Sequence, residues 1–185
     1  GIWGAISLGF LGAYLAYRRL PKATPLSFAT FADSLAPALL LAQAIGRLGN
    51  WFNQELFGRA TTLPWALSVS DDTAIKAGFE PGTTFHPTFL YESLGCLAIA
   101  GLVILVERQF RPAGGQIFAV YVAMYTAMRF FIEGLRIDPA HAAGGLRLNQ
   151  WVSIVVFVVS VTSFVVLVRA DRRVASSVSD HGESD

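Results

Sequence analysis

Gly46-Arg47-Leu48-Gly49-Asn50-Trp51-Phe52-Asn53-Gln54-Glu55-Leu56-Phe57-Gly58 is the stretch whose reading decides the fold. It closes an apolar run over 35–45 and then sets a guanidinium, amides and a carboxylate close together. An ionisable side chain at hydrocarbon depth costs about 2.5–3.5 kcal/mol on insertion scales, so such groups face a bundle interior or a watery cavity and pair there or bind something. Gln43, Arg47, Asn50 and Gln54 share one helix face if the helix continues that far. Gly46 and Gly49 leave room for another backbone or a lipid headgroup.

The rest of the composition agrees with a membrane setting. The 185 residues are 54% hydrophobic and 15% charged, where a soluble domain carries roughly 25% charged residues. The apolar residues fall in long blocks rather than in alternation, which predicts an all-α, polytopic membrane helix bundle. Five spans are expected, at about 2–17, 35–52, 87–106, 116–135 and 150–168, with an N-cap for the second at Asp33-Ser34. Residues 21–25 form a short loop, and 53–85 form a longer one with room for a short hairpin. Pro87 stands at a helix start, where proline is tolerated, and Trp151 opens the last span as an interfacial anchor. The charged, Ser-rich tail 169–185 reads as disordered. The chain begins inside an apolar segment without Met or a basic leader, which reads as a protein lacking its N-terminal portion.

Alternating spans place Arg18, Arg19, Lys22, Arg108, Arg111, Arg169, Arg172 and Arg173 on one side, against Arg59, Lys76, Arg136 and Arg147 on the other. The positive-inside rule makes the first side cytoplasmic and puts the C-terminus there. Three polar clusters then converge at the extracytoplasmic face. The first is the opening stretch. The second is His86-Pro87-Thr88-Phe89-Leu90-Tyr91-Glu92, with His86 as a base, a proton relay or a hydrogen-bonded interfacial residue, and Glu92 requiring Arg47 or Arg129 as partner. The third is the stripe Tyr125, Arg129, Glu133 and Arg136, followed by Asp138. An Arg129–Glu133 pair reads equally as a structural salt bridge. Two intramembrane arginines also suit an anionic phosphate, because guanidinium binds phosphate bidentately.

Net charge of +1 gives no footing for nucleic acid, and the single Cys96 excludes a disulfide framework and reads as a packed thiol. No phosphate-binding glycine loop, zinc-protease motif, nucleophile elbow or Asp-rich metal motif occurs. The expected chemistry uses no metal, no cofactor and no serine or cysteine intermediate. Two other classes remain open: a transporter or channel for an anionic solute, and a structural subunit whose charges pair internally.

The pattern Gly46-Arg47-x-Gly49-Asn50-x-x-Asn53-x-Glu55-x-x-Gly58, then His86-Pro87-x-x-Leu90-Tyr91-Glu92 and Tyr125-x-x-x-Arg129-x-x-x-Glu133-x-x-Arg136, resembles the prolipoprotein diacylglyceryl transferase family. Asp33 and Ala36-Pro37 fit as well, and the likeness extends over about 18–168. Members have seven spans. Where many carry His-Gly-Gly near the start of the span that opens this chain, Trp3-Gly4 stands here, so that histidine's role is not carried over. The Gly1-Ile2-Trp3-Gly4 and Arg147-Leu148-Asn149-Gln150-Trp151 segments resemble actinobacterial members.

The resemblance implies transfer of the diacylglyceryl group of phosphatidylglycerol to the lipobox cysteine thiol of a preprolipoprotein signal peptide, in the bacterial cytoplasmic membrane. It implies Arg129, Tyr125, His86 and Glu133 as catalytic residues. Arg47, Asn50, Asn53, Glu55, Gly58, Tyr91, Glu92 and Arg136 would bind the lipid. The residues agree with such a reaction, since a thiol brought by the substrate removes the need for an enzyme nucleophile. Arg47 and Arg129 would hold the phosphate, Asn50 would orient the headgroup, Glu133 and Glu55 would fix the arginines or the glycerol hydroxyls, and Gly58 would shape the turn. Tyr125 or His86 would stand nearest the thiol.

Overall fold

The computed structural model describes residues 2–20, 26–138 and 142–182. The loop expected over 21–25 and the last three residues of the tail lie outside the described residues. Among the described residues there are six helices: α1 (Ile2–Arg18), α2 (Phe28–Phe52), α3 (Asp71–Lys76), α4 (Thr88–Phe110), α5 (Gln116–Leu135) and α6 (Leu148–Gly182). Two small antiparallel ladders join them, β1 (Leu67–Ser68) with β2 (Thr84–Phe85), and β3 (Ala142–Ala143) with β4 (Leu146–Arg147). α2, α4, α5 and the part of α6 over Leu148–Arg173 are long and apolar enough to cross a membrane. α1 has 17 residues, just short of that length.

α2 packs on α4 and α5, and α5 packs on α4 and α6. The core they enclose holds Ala36, Leu40 and Ala44 from α2, Cys96, Ile99, Ala100 and Val103 from α4, and Ile117 and Tyr121 from α5. Cys96 is fully buried among them, as a packed thiol. The outward faces are apolar, with Leu97, Leu105, Val155, Val159 and Val166 exposed, as a lipid-facing surface requires.

Two boundaries differ from the sequence-based expectation. α2 begins about seven residues early, at Phe28, because the Ser27 hydroxyl accepts from the Thr30 amide and supplies the N-cap. Asp33 therefore lies inside α2 and caps a different helix. Its two carboxylate oxygens accept from the amides of Gly115 (2.6 Å) and Phe118 (2.7 Å), at the start of α5. Gly114 and Gly115 press against α2 there, and a Cβ on Gly114 would strike Thr30. The second difference is α6, which continues to Gly182 through the stretch read as disordered. No proline or glycine interrupts 148–181, so nothing stops helix propagation where the apolar run ends.

The 53–85 segment folds into a small cap. Phe57, Ala74 and Phe85 form its core, with Leu67, Val69, Phe79 and Ile137 packed around them. The hairpin that the sequence left room for is the β1–β2 ladder, with α3 inserted between its strands. The chain from Gly58 runs beside β2, since Gly58 N donates to His86 O, His86 N to Arg59 O and Thr61 N to Thr84 O. On its other edge Arg59 N donates to Leu135 O, so the cap is sewn to the end of α5.

Candidate active site

The C-terminal ends of α2 and α5 meet the N-terminal ends of α4 and α6, and charged side chains of α2, α4 and α5 collect there with Arg147, which precedes α6. Arg47 Nε on α2 pairs with Glu92 Oε2 on α4, and Arg129 Nη1 on α5 pairs with Glu92 Oε1. Arg129 Nη2 reaches Glu133 Oε2 at 2.9 Å. Arg136 joins the same oxygen at 3.4 Å and binds Asp138 through Nε at 2.7 Å. Arg147, from β4, pairs with Glu133 at 3.0 Å and Asp138 at 3.0 Å. The result is one chain of alternating charge from Arg47 to Arg147. Glu92 and Glu133 are buried, with side chains 4% and 1% exposed, while Arg47 at 24% is the most open of the four arginines. A buried charge is costly unless an opposite charge offsets it, and each of these carboxylates meets at least two arginines.

Two hydroxyls extend the chain into the bundle: Arg47 Nη2 donates to Tyr125 OH at 3.5 Å, and Gln43 Nε2 donates to Tyr121 OH at 3.1 Å. Outside the spans, burial pulls the Asp138 carboxyl upward, but the hydrogen bond and charge of Arg136 and the charge of Arg147 outweigh it and hold the group below the usual carboxylate range. A carboxylate lowered on folding stabilises the fold above its unfolded pKa. That stabilisation is lost as the pH falls through the folded value.

The other expected site residues surround this network without joining it. α2 ends at Phe52, so Gln54 leaves the shared face. Its side-chain oxygen instead accepts from Ser70 N at 2.8 Å and ties down α3. Asn50 and Asn53 both donate to Glu55 Oε1, at 3.0 and 3.1 Å, in an exposed cluster. Glu55 thus fixes the amides, and Glu133 alone of the two carboxylates fixes arginines. His86 Nδ1 shares a hydrogen bond with Tyr91 OH (3.1 Å), and Trp65 Nε1 donates to the same hydroxyl (2.9 Å). Among the described residues nothing comes within 4 Å of a Cβ built on Gly46 or Gly49.

Gly58 is not the turn residue the sequence led us to expect. The positive φ angles fall on Gln54 (50°) and Leu56 (59°), and Gly58 is bridged to Arg136. It is there for a close approach: a Cβ would lie 2.8 Å from His86 Cβ, 3.0 Å from Thr88 Cγ2 and 3.2 Å from Leu135 O. Gly58→Ala is therefore expected to destabilise the cap by about 1–3 kcal/mol, read as a lower Tm of the purified protein. An unchanged Tm would show that His86 and Thr88 yield without cost.

Arg147 and Asn149 are the residues the sequence reading missed as site members. Arg147 was counted only as a loop charge, yet it binds two carboxylates and two carbonyls, and Asn149 Nδ2 donates to Glu133 Oε1 at 3.1 Å. The signal was their place, beside the Trp151 anchor and at the same bundle end as Glu133.

Four apolar helices around a buried, alternating charge network at one bundle end define a polytopic helical membrane protein with an anion-suited polar site. The family model described as prolipoprotein diacylglyceryl transferase matches residues 1–166. The chain belongs to that family. It is 52% identical over 166 residues to the phosphatidylglycerol–prolipoprotein diacylglyceryl transferase of Streptomyces griseus, covering 90% of this chain and 48% of the relative. It is 51% identical over 169 residues to enzyme 1 of that name from Streptomyces coelicolor (91% and 47%), and 53% identical over 169 residues to that of Cutibacterium acnes (91% and 55%). The chain spans about half the length of the curated relatives it matches.

Proposed function

We propose that the protein of which this chain forms part transfers the diacylglyceryl group of phosphatidylglycerol to the lipobox cysteine of preprolipoproteins, releasing glycerol phosphate. The observation that carries this reading is the Arg47–Glu92–Arg129–Glu133 network, two arginines held on shared carboxylates at one end of an apolar bundle. The substrate thiol gives up its proton and its sulfur bonds to the glycerol carbon that bears the phosphate. The C–O bond breaks, and its electron pair leaves on glycerol phosphate. Arg47 and Arg129 meet the charge that grows on that oxygen.

Asn50, Asn53 and Glu55 form the amide and carboxylate edge that orients the glycerol headgroup. His86, whose neutral imidazole can take up a proton, is the acceptor for the thiol proton, and Tyr125, which touches Arg47, can relay it. Arg136 holds Glu133, and Gly58 keeps the cap closed on α5. Neither a metal nor a cofactor enters this mechanism. The site faces the extracytoplasmic side of a bacterial cytoplasmic membrane and the C-terminus lies inside, by the distribution of Lys and Arg. The names of the relatives favour transfer over transport of an anionic solute.

The test is a transfer assay on the full-length parent protein in membranes, with headgroup-labelled phosphatidylglycerol and a lipobox peptide carrying either Cys or Ser. Labelled glycerol phosphate is expected with the Cys peptide alone. Release with neither peptide, from protein shown to be inserted, would overturn the reading.

A further inference from the structure

We propose that Arg147 and Asp138, at the far end of the charge network, set the net charge of the site and thereby the headgroup charge it prefers. The proposal rests on the lipid-binding reading above. Among the described residues the network holds four arginines, Arg47, Arg129, Arg136 and Arg147, against three carboxylates, Glu92, Glu133 and Asp138. The surplus is one positive charge. Arg59 and Glu55, the nearby loop charges, are exposed and opposite in sign, so they leave this balance unchanged.

A phosphodiester headgroup with one negative charge completes the neutralisation. A zwitterionic headgroup brings its own cation and leaves the surplus uncompensated, and a phosphomonoester brings too much negative charge. In a poorly screened site such mismatches carry weight, because Coulomb energies rise as the effective dielectric constant falls.

Arg147 closes the network at its far end and, like Arg129 and Arg136, serves two carboxylates at once. Its Nε lies 3.0 Å from Glu133 Oε1 and its Nη2 lies 3.0 Å from Asp138 Oδ2. Nη1 and Nη2 also donate to the carbonyls of Arg136 (2.7 Å) and Asp138 (2.9 Å). With Asn149 on Glu133 Oε1, Arg129 and Arg136 are left to share the other oxygen. Neither Arg147 nor Asp138 needs to touch the lipid. Both act through the network, as positioning and charge-setting residues.

The experiment measures the apparent KM for phosphatidylglycerol, and inhibition of transfer by phosphatidic acid or phosphatidylcholine in the same vesicles. It uses the full-length parent protein and its variants Arg147→Lys, Arg147→Gln, Asp138→Asn and Arg147→Gln/Asp138→Asn. Loss of one positive charge in Arg147→Gln is expected to raise KM on the order of tenfold. Arg147→Lys and the double variant, which keep the surplus, are expected to stay near the wild-type KM. Asp138→Asn, with a surplus of two, is expected to shift inhibition toward phosphatidic acid, opposite in sign to Arg147→Gln. If Arg147→Gln does not fold, the Asp138→Asn arm still decides. Equal weakening by Asp138→Asn and the arginine variants, or a double variant no better than Arg147→Gln, would mean a purely structural clamp and overturn the proposal. Absence of transfer by the wild-type protein would instead overturn the transferase reading.

Discussion

Replacing Arg129 with Ala in the full-length parent protein is expected to lower diacylglyceryl transfer by on the order of a thousandfold, with the protein still recovered from the membrane. The size follows from the position. Arg129 bridges Glu92 on α4 and Glu133 on its own helix, so its loss removes a phosphate ligand and leaves two buried carboxylates sharing fewer cations. The network's surplus positive charge is then gone from the place where the leaving phosphate must develop its negative charge. Arg129→Lys keeps the charge but not the planar fork that reaches both carboxylates at once, and is expected to recover little. Glycerol phosphate release from washed membranes, normalised to inserted protein, measures both variants. Wild-type turnover by Arg129→Ala would sink the phosphate clamp.

Glu133→Ala is expected to be the most damaging change to stability, about 3–5 kcal/mol. The Glu133 side chain is 1% exposed and meets three arginines and Asn149. Truncation leaves those cations facing an empty volume and removes the links from α5 to Arg147 on β4 and Asn149 on α6 that run through Glu133. Glu133→Gln keeps the shape and one acceptor, so it should fall between. Thermal unfolding in detergent gives the order directly. A Glu133→Ala protein melting within a degree of wild type would show that the network is redundant at its centre.

The apolar blocks of the sequence were enough to find α2, α4, α5 and the apolar part of α6, because hydrocarbon length and period leave little choice of element there. They were not enough to assign every polar residue to a partner. Asp33 looked like a cap for the helix it precedes in sequence, and Ser27 took that role six residues earlier. Local spacing cannot say that a carboxylate caps a helix 82 residues away. Arg47, Glu92, Arg129 and Glu133 were readable because charges inside a membrane helix demand partners. Arg147 was not, since a charge in a loop needs no partner and only the hairpin β3–β4 turns it inward. Gly58 was picked out to shape a turn, and the positive φ angles there fall on Gln54 and Leu56. Its real constraint, the crowding by His86 and Leu135, comes from segments distant in sequence.

The Asp33 contact also bears on the order in which the protein is made. Chains emerge N-terminus first, so α2 is at hand well before α5 leaves the ribosome. The leading amides of α5 have no partner within their own helix, and a bilayer offers none. They arrive to find the carboxylate of Asp33 waiting, 82 residues upstream. Biosynthesis thus assembles this end of the bundle on an acceptor that the earlier helix has already brought into place.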